Sequence, residues 1–335
     1  MTIYDISKEA GVSIATVSRV LNGNDNVRPK TRQKVMEVIE KYEYTPNAFA
    51  RGLGLNTMQA VGIMCADCSD MFLAKAIYYV EKNLREQGYE TILTSTGYDL
   101  QGKQEALSLL LKRRVDSIIM IGSNFIFDND DDNKYIRDAA EQVPVMMLNG
   151  DFDCKNVFCT YCDDFQASFD ATDQLIKSGA KRILHLYDAT SFSGKRKLSG
   201  YQGALLSNDI EVDKNLSQFY SGNRESAHDI ASFLQKIKDQ GIEFDAISCS
   251  NDYMAMGALR FARLNKIKVP EELQICGYNN TVLTTCAYPE MTSVDNRVEQ
   301  ISNQLVHTLV EVLSGVEMPQ KTLVSGQLVK RDSTK

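Results

Sequence analysis

No apolar run in this 335-residue chain approaches the roughly 18 residues that a membrane-crossing helix needs, and its start, MTIYDISKEA, has neither the basic opening nor the apolar centre of an export signal. The cytoplasm is the expected compartment. The loops of nucleotide and acyl chemistry are missing as well. There is no GxxxxGKS/T and no GxSxG, and RGLGLN lacks the third glycine and preceding strand of a dinucleotide fingerprint. Histidine is scarce, and His185, His228 and His307 form no metal-ligand spacing, so neither catalysis nor a cofactor is expected. Excess positive charge is absent too; the formal net charge of −7 speaks at first against a nucleic-acid partner.

Cysteine is not scarce. The eight cysteines include two CxxC pairs, Cys65/Cys68 in CADC and Cys159/Cys162 in CTYC. Four thiolates can hold zinc only if both pairs leave extended segments and meet across a long sequence gap. In a large chain without an export signal the simpler reading is reduced, buried, inert packing side chains, with a structural metal or a redox pair as the alternative.

At 43% hydrophobic residues the chain can fill the cores of two or three ordinary domains. Its charge is unevenly spread: residues 1–57 carry +2 and the remainder −9, a slightly basic head on an acidic body. In the head, Thr2 followed by Asp5 reads as a capping start for a helix with Ile3, Ile6 and Ala10 on one face. Gly11 permits a turn, and Ser13 caps a second helix whose Val17, Val20 and Leu21 face inward. A third helix opens at Pro29 and contributes Val35, Val38, Ile39 and Tyr42 to a small core. Two short helices about a glycine turn form a helix-turn-helix. The outward face of the second, Ile14, Ala15, Thr16, Ser18 and Arg19, combines small residues, hydroxyls and one arginine, a set suited to the major groove. A solvated face on a three-helix cap is the plainer alternative.

The stretch from Tyr4 to Leu53, through ATVSRVLNGN, TRQKV and PNAFARGL, resembles the lactose repressor (LacI/GalR) family, and within it most the catabolite control proteins. The resemblance implies a DNA-binding regulator. Leu53 would wedge into the minor groove beside Asn47, Ala50 and Arg51, kinking the duplex at a central step. Tyr4, Ser13, Thr16, Ser18, Asn22, Thr31 and Tyr44 would line phosphates, and Ile14, Ala15 and Arg19 would read bases. The implied domains are a helix-turn-helix at 1–45, a hinge at 46–57 and an effector-binding, dimerising core at 58–335.

From Gln59 onward, apolar runs (AVGIMC, YETILTS, DSIIMIG, VPVMML, RILHLY, DAISC, LQICG) alternate with amphipathic segments, a pattern of parallel sheets with helices on both faces. The resemblance continues here and implies the two-lobed periplasmic-binding-protein fold with three crossovers. The first lobe is expected over about 58–160 and 290–320, the second over about 161–289 and 321–335. It implies a homodimer on a pseudo-palindromic operator, and it places Phe72, Asp163, Lys197, Asp252 and Asn279 in the cleft between the lobes. Two of these depart from the sugar-binding pattern: Lys197 stands where an Arg is usual, and Asn279, in CGYNN, where an Asp is usual. With Lys195 and Arg196 adjacent, the changes favour a more positive corner and an anionic effector such as a sugar phosphate or sugar acid. A neutral sugar and an empty, drifted cleft are the alternatives. Asp252 also reads as a helix cap, and Phe72 as plain packing. The rival functions are control by a protein co-regulator such as a phosphocarrier, and a solute-binding receptor.

Overall fold

The computed structural model describes residues 2–21, 26–42 and 57–335. In the head, α1 (Ile3–Ala10) starts on the expected reciprocal cap: Thr2 Oγ1 accepts from the Asp5 amide at 3.4 Å, and the Asp5 carboxylate accepts from the Thr2 amide at 2.7 Å. Gly11 ends it at φ 65°, a left-handed conformation that glycine adopts without Cβ strain. The Ser13 hydroxyl then accepts from the Thr16 amide at the start of α2 (Ile14–Leu21), and Pro29 opens α3 (Pro29–Lys41). Ile6, Ala10, Val17, Val20, Val27 and Val35 form the buried core. Tyr42 does not join it. It lies 39% exposed because its phenol donates to Glu9, which also pairs with Lys41 at 2.8 Å.

The body contains two six-stranded sheets. The first has the order β2 (Glu90–Ser95), β1 (Ala60–Cys65), β3 (Ser117–Ile121), β4 (Val145–Leu148), β5 (Val157–Cys162) and β11 (Lys321–Val324). The second runs β7 (Ser217–Phe219), β6 (Ile183–Tyr187), β8 (Ala246–Cys249), β9 (Gln274–Tyr278), β10 (Thr292–Asp295) and β12 (Gln327–Val329). The pairing of β10 with β12 is antiparallel, while β6, β8, β9 and β10 pair in parallel. The short strands β7, β10, β11 and β12, of three or four residues, carry no long apolar run of their own, and neither does β5, so pairing with neighbouring strands decides them.

Sheet membership shifts the expected lobe limits near the C-terminus. Residues 292–295 were expected in the first lobe, but β10 pairs with β9 in the second sheet. Residues 321–324 were expected in the second lobe, but β11 pairs with β5 in the first. The chain therefore passes between sheets at three places: after β5, after β10, and between β11 and β12. After the second passage, α12 (Val298–Leu313) buries Ile301, Leu305, Val306 and Leu309 against the first sheet and α4 (Met71–Glu86). In the second lobe, Gly200 of α8 (Phe192–Ser207) lets that helix close on α7 (Asp164–Lys177). A Cβ there would lie 2.2 Å from the Phe165 carbonyl oxygen.

His185, on β6, is fully buried between the rings of Tyr187 and Tyr201, at 5.6 and 4.9 Å, with Nδ1 3.4 Å from Ser248 Oγ. Burial, followed by the charge of Lys197, pushes its pKa down to about 3. The unfolded chain binds that proton near pH 6.5, so between these values it holds more protons than the native state, and stability falls as pH drops through 6.5. The urea midpoint of the core is expected to be lower at pH 5.5 than at pH 7, a window above the ordinary carboxylate range. His185→Asn should flatten that slope; an unchanged slope assigns it to other groups.

Candidate functional site

On α2, Ile14 (39% exposed), Ala15 and Arg19 face solvent, while Thr16 and Ser18 are half-buried. The Ser13 and Thr16 hydroxyls lie 2.9 Å apart at the start of the helix. Tyr4 is 67% exposed at the start of α1, and Thr31 is half-buried at the start of α3. The face therefore presents small side chains and hydroxyls at helix starts and one guanidinium in the last turn of α2, a layout that suits phosphates and base edges. Asn22, Tyr44, Asn47, Ala50, Arg51 and Leu53 lie outside the described residues.

In the body, a cavity of about 410 Å³ lies at the carboxyl ends of the strands of both sheets, where parallel sheets bind ligands. Its wall comes from loops just beyond those ends. The first sheet supplies Asp70 and Phe72 beyond β1, Tyr98 beyond β2, Ser123, Asn124 and Ile126 to Asp128 beyond β3, and Asn149 beyond β4. The second supplies Asp188 to Ser191, Arg224, Asn251 and Asn279 beyond β6, β7, β8 and β9, together with Lys197 of α8. A larger, open groove of about 1150 Å³ follows the outer faces of α4 and α12 and shares only Phe72 and Asn279 with this cavity.

Of the five cleft residues expected from sequence, Phe72, Lys197 and Asn279 line the cavity; Asp163 and Asp252 do not. Asp163 caps α7 by accepting from the Gln166 amide and pairs with Arg196 at 2.9 Å. Nor does Asp252 cap α10 (Asp252–Leu264), a role that falls to Asn251, which accepts from the Met254 amide at 3.0 Å. Asp252 is instead buried as an acceptor for the Thr281 amide and hydroxyl and the Ser293 hydroxyl, at 2.6, 2.8 and 2.7 Å. It ties the loop after β9 to β10. Burial raises its pKa, against the pull of those hydrogen bonds.

The expected positive corner is absent because each of its cations is already engaged. Lys195 pairs with Asp128, Arg196 with Asp163, and Lys197 donates to the Ser250 carbonyl at 3.0 Å beneath the Tyr278 ring. The lining carries three carboxylates, Asp70, Asp128 and Asp188, against Lys197 and Arg224. Arg224 joins the lobes, 3.6 Å from Asp70 and 3.5 Å from Asp188. Ser123 and Ser191 meet across the gap at 2.8 Å. Asp188 accepts from Asn251 Nδ2 and Ser250 Oγ. Asn279 Oδ1 accepts from Nδ2 of Asn296, on the second passage between sheets, at 2.9 Å. Asn279 and Asn280 have φ of 91° and 46°, and asparagine tolerates that region better than most residues.

Sequence reasoning missed Asp70, Tyr98, Asp188 and Arg224. For Tyr98 and Asp188, three residues and one residue beyond apolar runs read as strands, that position was the available signal.

Residues 58–332 match the family described as "Periplasmic binding proteins and sugar binding domain of LacI family", and residues 2–47 match "Bacterial regulatory proteins, lacI family". The chain belongs to the LacI family of bacterial regulatory proteins. It is 48% identical to an HTH-type transcriptional regulator of Lachnoclostridium phytofermentans over 100% of this chain and 99% of that protein. It is 32% identical to catabolite control protein A of Staphylococcus epidermidis, over 97% of this chain and 96% of the relative. A solved structure of a transcriptional regulator CelR–cellobiose complex matches with a TM-score of 0.73 and 26% identity, over 99% of both chains.

Arg19→Ala is expected to weaken specific DNA binding by about 1–3 kcal/mol and to relax preference at one guanine per half-site, with the far-ultraviolet helix signal unchanged. A titration against a selected operator and its single-base variants measures both effects.

Proposed function

We propose that the protein is a sequence-specific DNA-binding regulator of carbohydrate genes that acts by binding rather than turnover, as a homodimer on a pseudo-palindromic operator. The occupant of its cleft is an uncharged, polyhydroxylated molecule. The observation that carries the effector reading is the commitment of Lys195, Arg196 and Lys197 to partners within the protein, beside cavity carboxylates at Asp70 and Asp188. Asp70 and Asp188 are shared with Arg224, and their remaining lone pairs accept hydroxyl hydrogens, whereas an anion would have to compete with them for that arginine. Phe72 and Tyr98 supply ring surfaces, and the buried Asn124 Nδ2, at a lining residue, has no hydrogen-bond partner. The cellobiose complex of a relative supports the same class.

Coupling follows from the wall's construction. Lobe-to-lobe contacts at Arg224 and Ser123 would be remade around a ligand, and Asn279 hands the change to the second passage through Asn296. Operator affinity then changes by the ligand's differential affinity for the two lobe arrangements.

Cellobiose and other neutral mono- and disaccharides should raise the melting temperature of the intact protein, while glucose 6-phosphate and gluconate should not. Stabilisation by the anions alone would overturn the effector reading. Asp188→Asn should weaken the best neutral hit by about tenfold or more, the scale of a charge-assisted hydrogen bond, as read by calorimetric titration.

A further inference from the structure

The CADC pair is not explained by DNA or effector binding. We propose that Cys65 and Cys68 form a reversible dithiol–disulfide pair that resets the start of α4 at the cleft. Their Sγ atoms lie 3.0 Å apart, so closing a disulfide of about 2.05 Å needs roughly 1 Å of approach. Cys65 is the last residue of β1 and is fully buried, while Cys68 is half-buried in the following loop. That loop is held on both sides of Cys68. The Ala66 carbonyl accepts from the Gly97 amide at 3.1 Å and from Ser95 Oγ at 3.2 Å, and Asp67 accepts from the Ser69 amide and hydroxyl at 2.9 and 2.6 Å.

The second CxxC pair shows what this arrangement adds. Cys159 and Cys162 both lie within β5, where residues three apart point to opposite faces of the sheet. Cys159 contacts the Phe152 backbone, and Cys162 lies near Tyr278. The same spacing brings two thiols together only where the strand ends between them.

The chemistry needs an external oxidant, a small-molecule disulfide. Burial, followed by contact with Cys68, holds the Cys65 thiol protonated, so the more accessible Cys68 reacts first. Its thiolate attacks one reagent sulfur, the reagent S–S bond breaks, and one reagent thiol leaves with the proton. Cys65 then attacks Cys68 Sγ, gives up its proton, and expels the second reagent thiol. Two protein thiols are oxidised and one disulfide is reduced. Cys68 stands two residues before Asp70, whose Oδ1 caps the Phe72 and Leu73 amides at 2.9 and 3.0 Å and whose Oδ2 faces Arg224. Drawing Cys68 inward therefore moves the cap that positions two cleft residues.

The test uses the reduced, full-length protein with excess glutathione disulfide, followed by alkylation of remaining thiols and peptide mass analysis. The expected product is one peptide lighter by two hydrogens, with Cys65 and Cys68 protected from alkylation, restored by a dithiol reductant. Cys159 and Cys162 should stay alkylatable after denaturation, and exposed Cys286 should carry a mixed disulfide as the reagent control. Hydrogen exchange at the Phe72 and Leu73 amides should speed up by about fivefold or more on oxidation, as expected for a loosened cap. Neither change should occur in Cys68→Ser or in Cys68→Ala, either of which suffices if the other folds poorly. If Cys286 reacts while Cys65 and Cys68 stay free, or Cys68 stops at a mixed disulfide, the pair is inert and the proposal fails. A Cys65–Cys68 disulfide with unchanged exchange overturns the link to α4. None of these readouts depends on the identity of the effector.

Discussion

Parallel strands impose one geometric constraint on which the body of this protein depends: every loop that leaves a carboxyl end emerges on the same edge of its sheet. Two such sheets, joined by three passages of chain, turn those edges toward each other, and the cavity is the gap between them. The residues that line it are scattered from Asp70 to Asn279, yet most occupy equivalent places, a few residues beyond a strand. The passages matter equally. Because the second begins at Asn296, which is hydrogen-bonded to Asn279, the cleft wall is continuous with a segment that must bend if the lobes move.

Within that frame, charge is decided by pairing rather than by count. Three consecutive cations on α8 read from sequence as a positive patch, but the helix sends them to three different partners: Asp128 in the other lobe, Asp163 at the cap of α7, and the Ser250 carbonyl. Asp252 illustrates the converse. A carboxylate that one expects at a ligand or a helix cap is spent on three hydrogen bonds that tie a loop to a strand. Buried polar groups are costly unless satisfied, and for the buried Lys197 and Asp252 satisfaction came from within the protein.

Much of the head was legible because its signals are local. The Thr2–Asp5 cap, the Gly11 turn, Pro29 at a helix start and the inward Val17 and Val20 each depend on neighbours within four residues. The longer strands of the body were legible for the same reason, as continuous apolar runs. Strands β5, β7, β10, β11 and β12 were not, since they lack a continuous apolar run, and with them went the order of passages near the C-terminus. The cleft was half legible. Phe72, Lys197 and Asn279 line it, while Asp70, Asp188 and Arg224 belong to loops whose convergence no local pattern encodes.

The sequence by itself determined the family, the helix-turn-helix and the alternation of strand and helix, because periodicity, capping and turn chemistry act between near neighbours. Only the tertiary structure decided the character of the CGYNN stretch. Asn279 is a left-handed residue whose oxygen is held by Asn296, in a wall where the nearby cations are already matched and the carboxylates of Asp70 and Asp188 are shared with one arginine. That balance depends on distances between segments far apart in the chain, and a linear order of residues does not specify them.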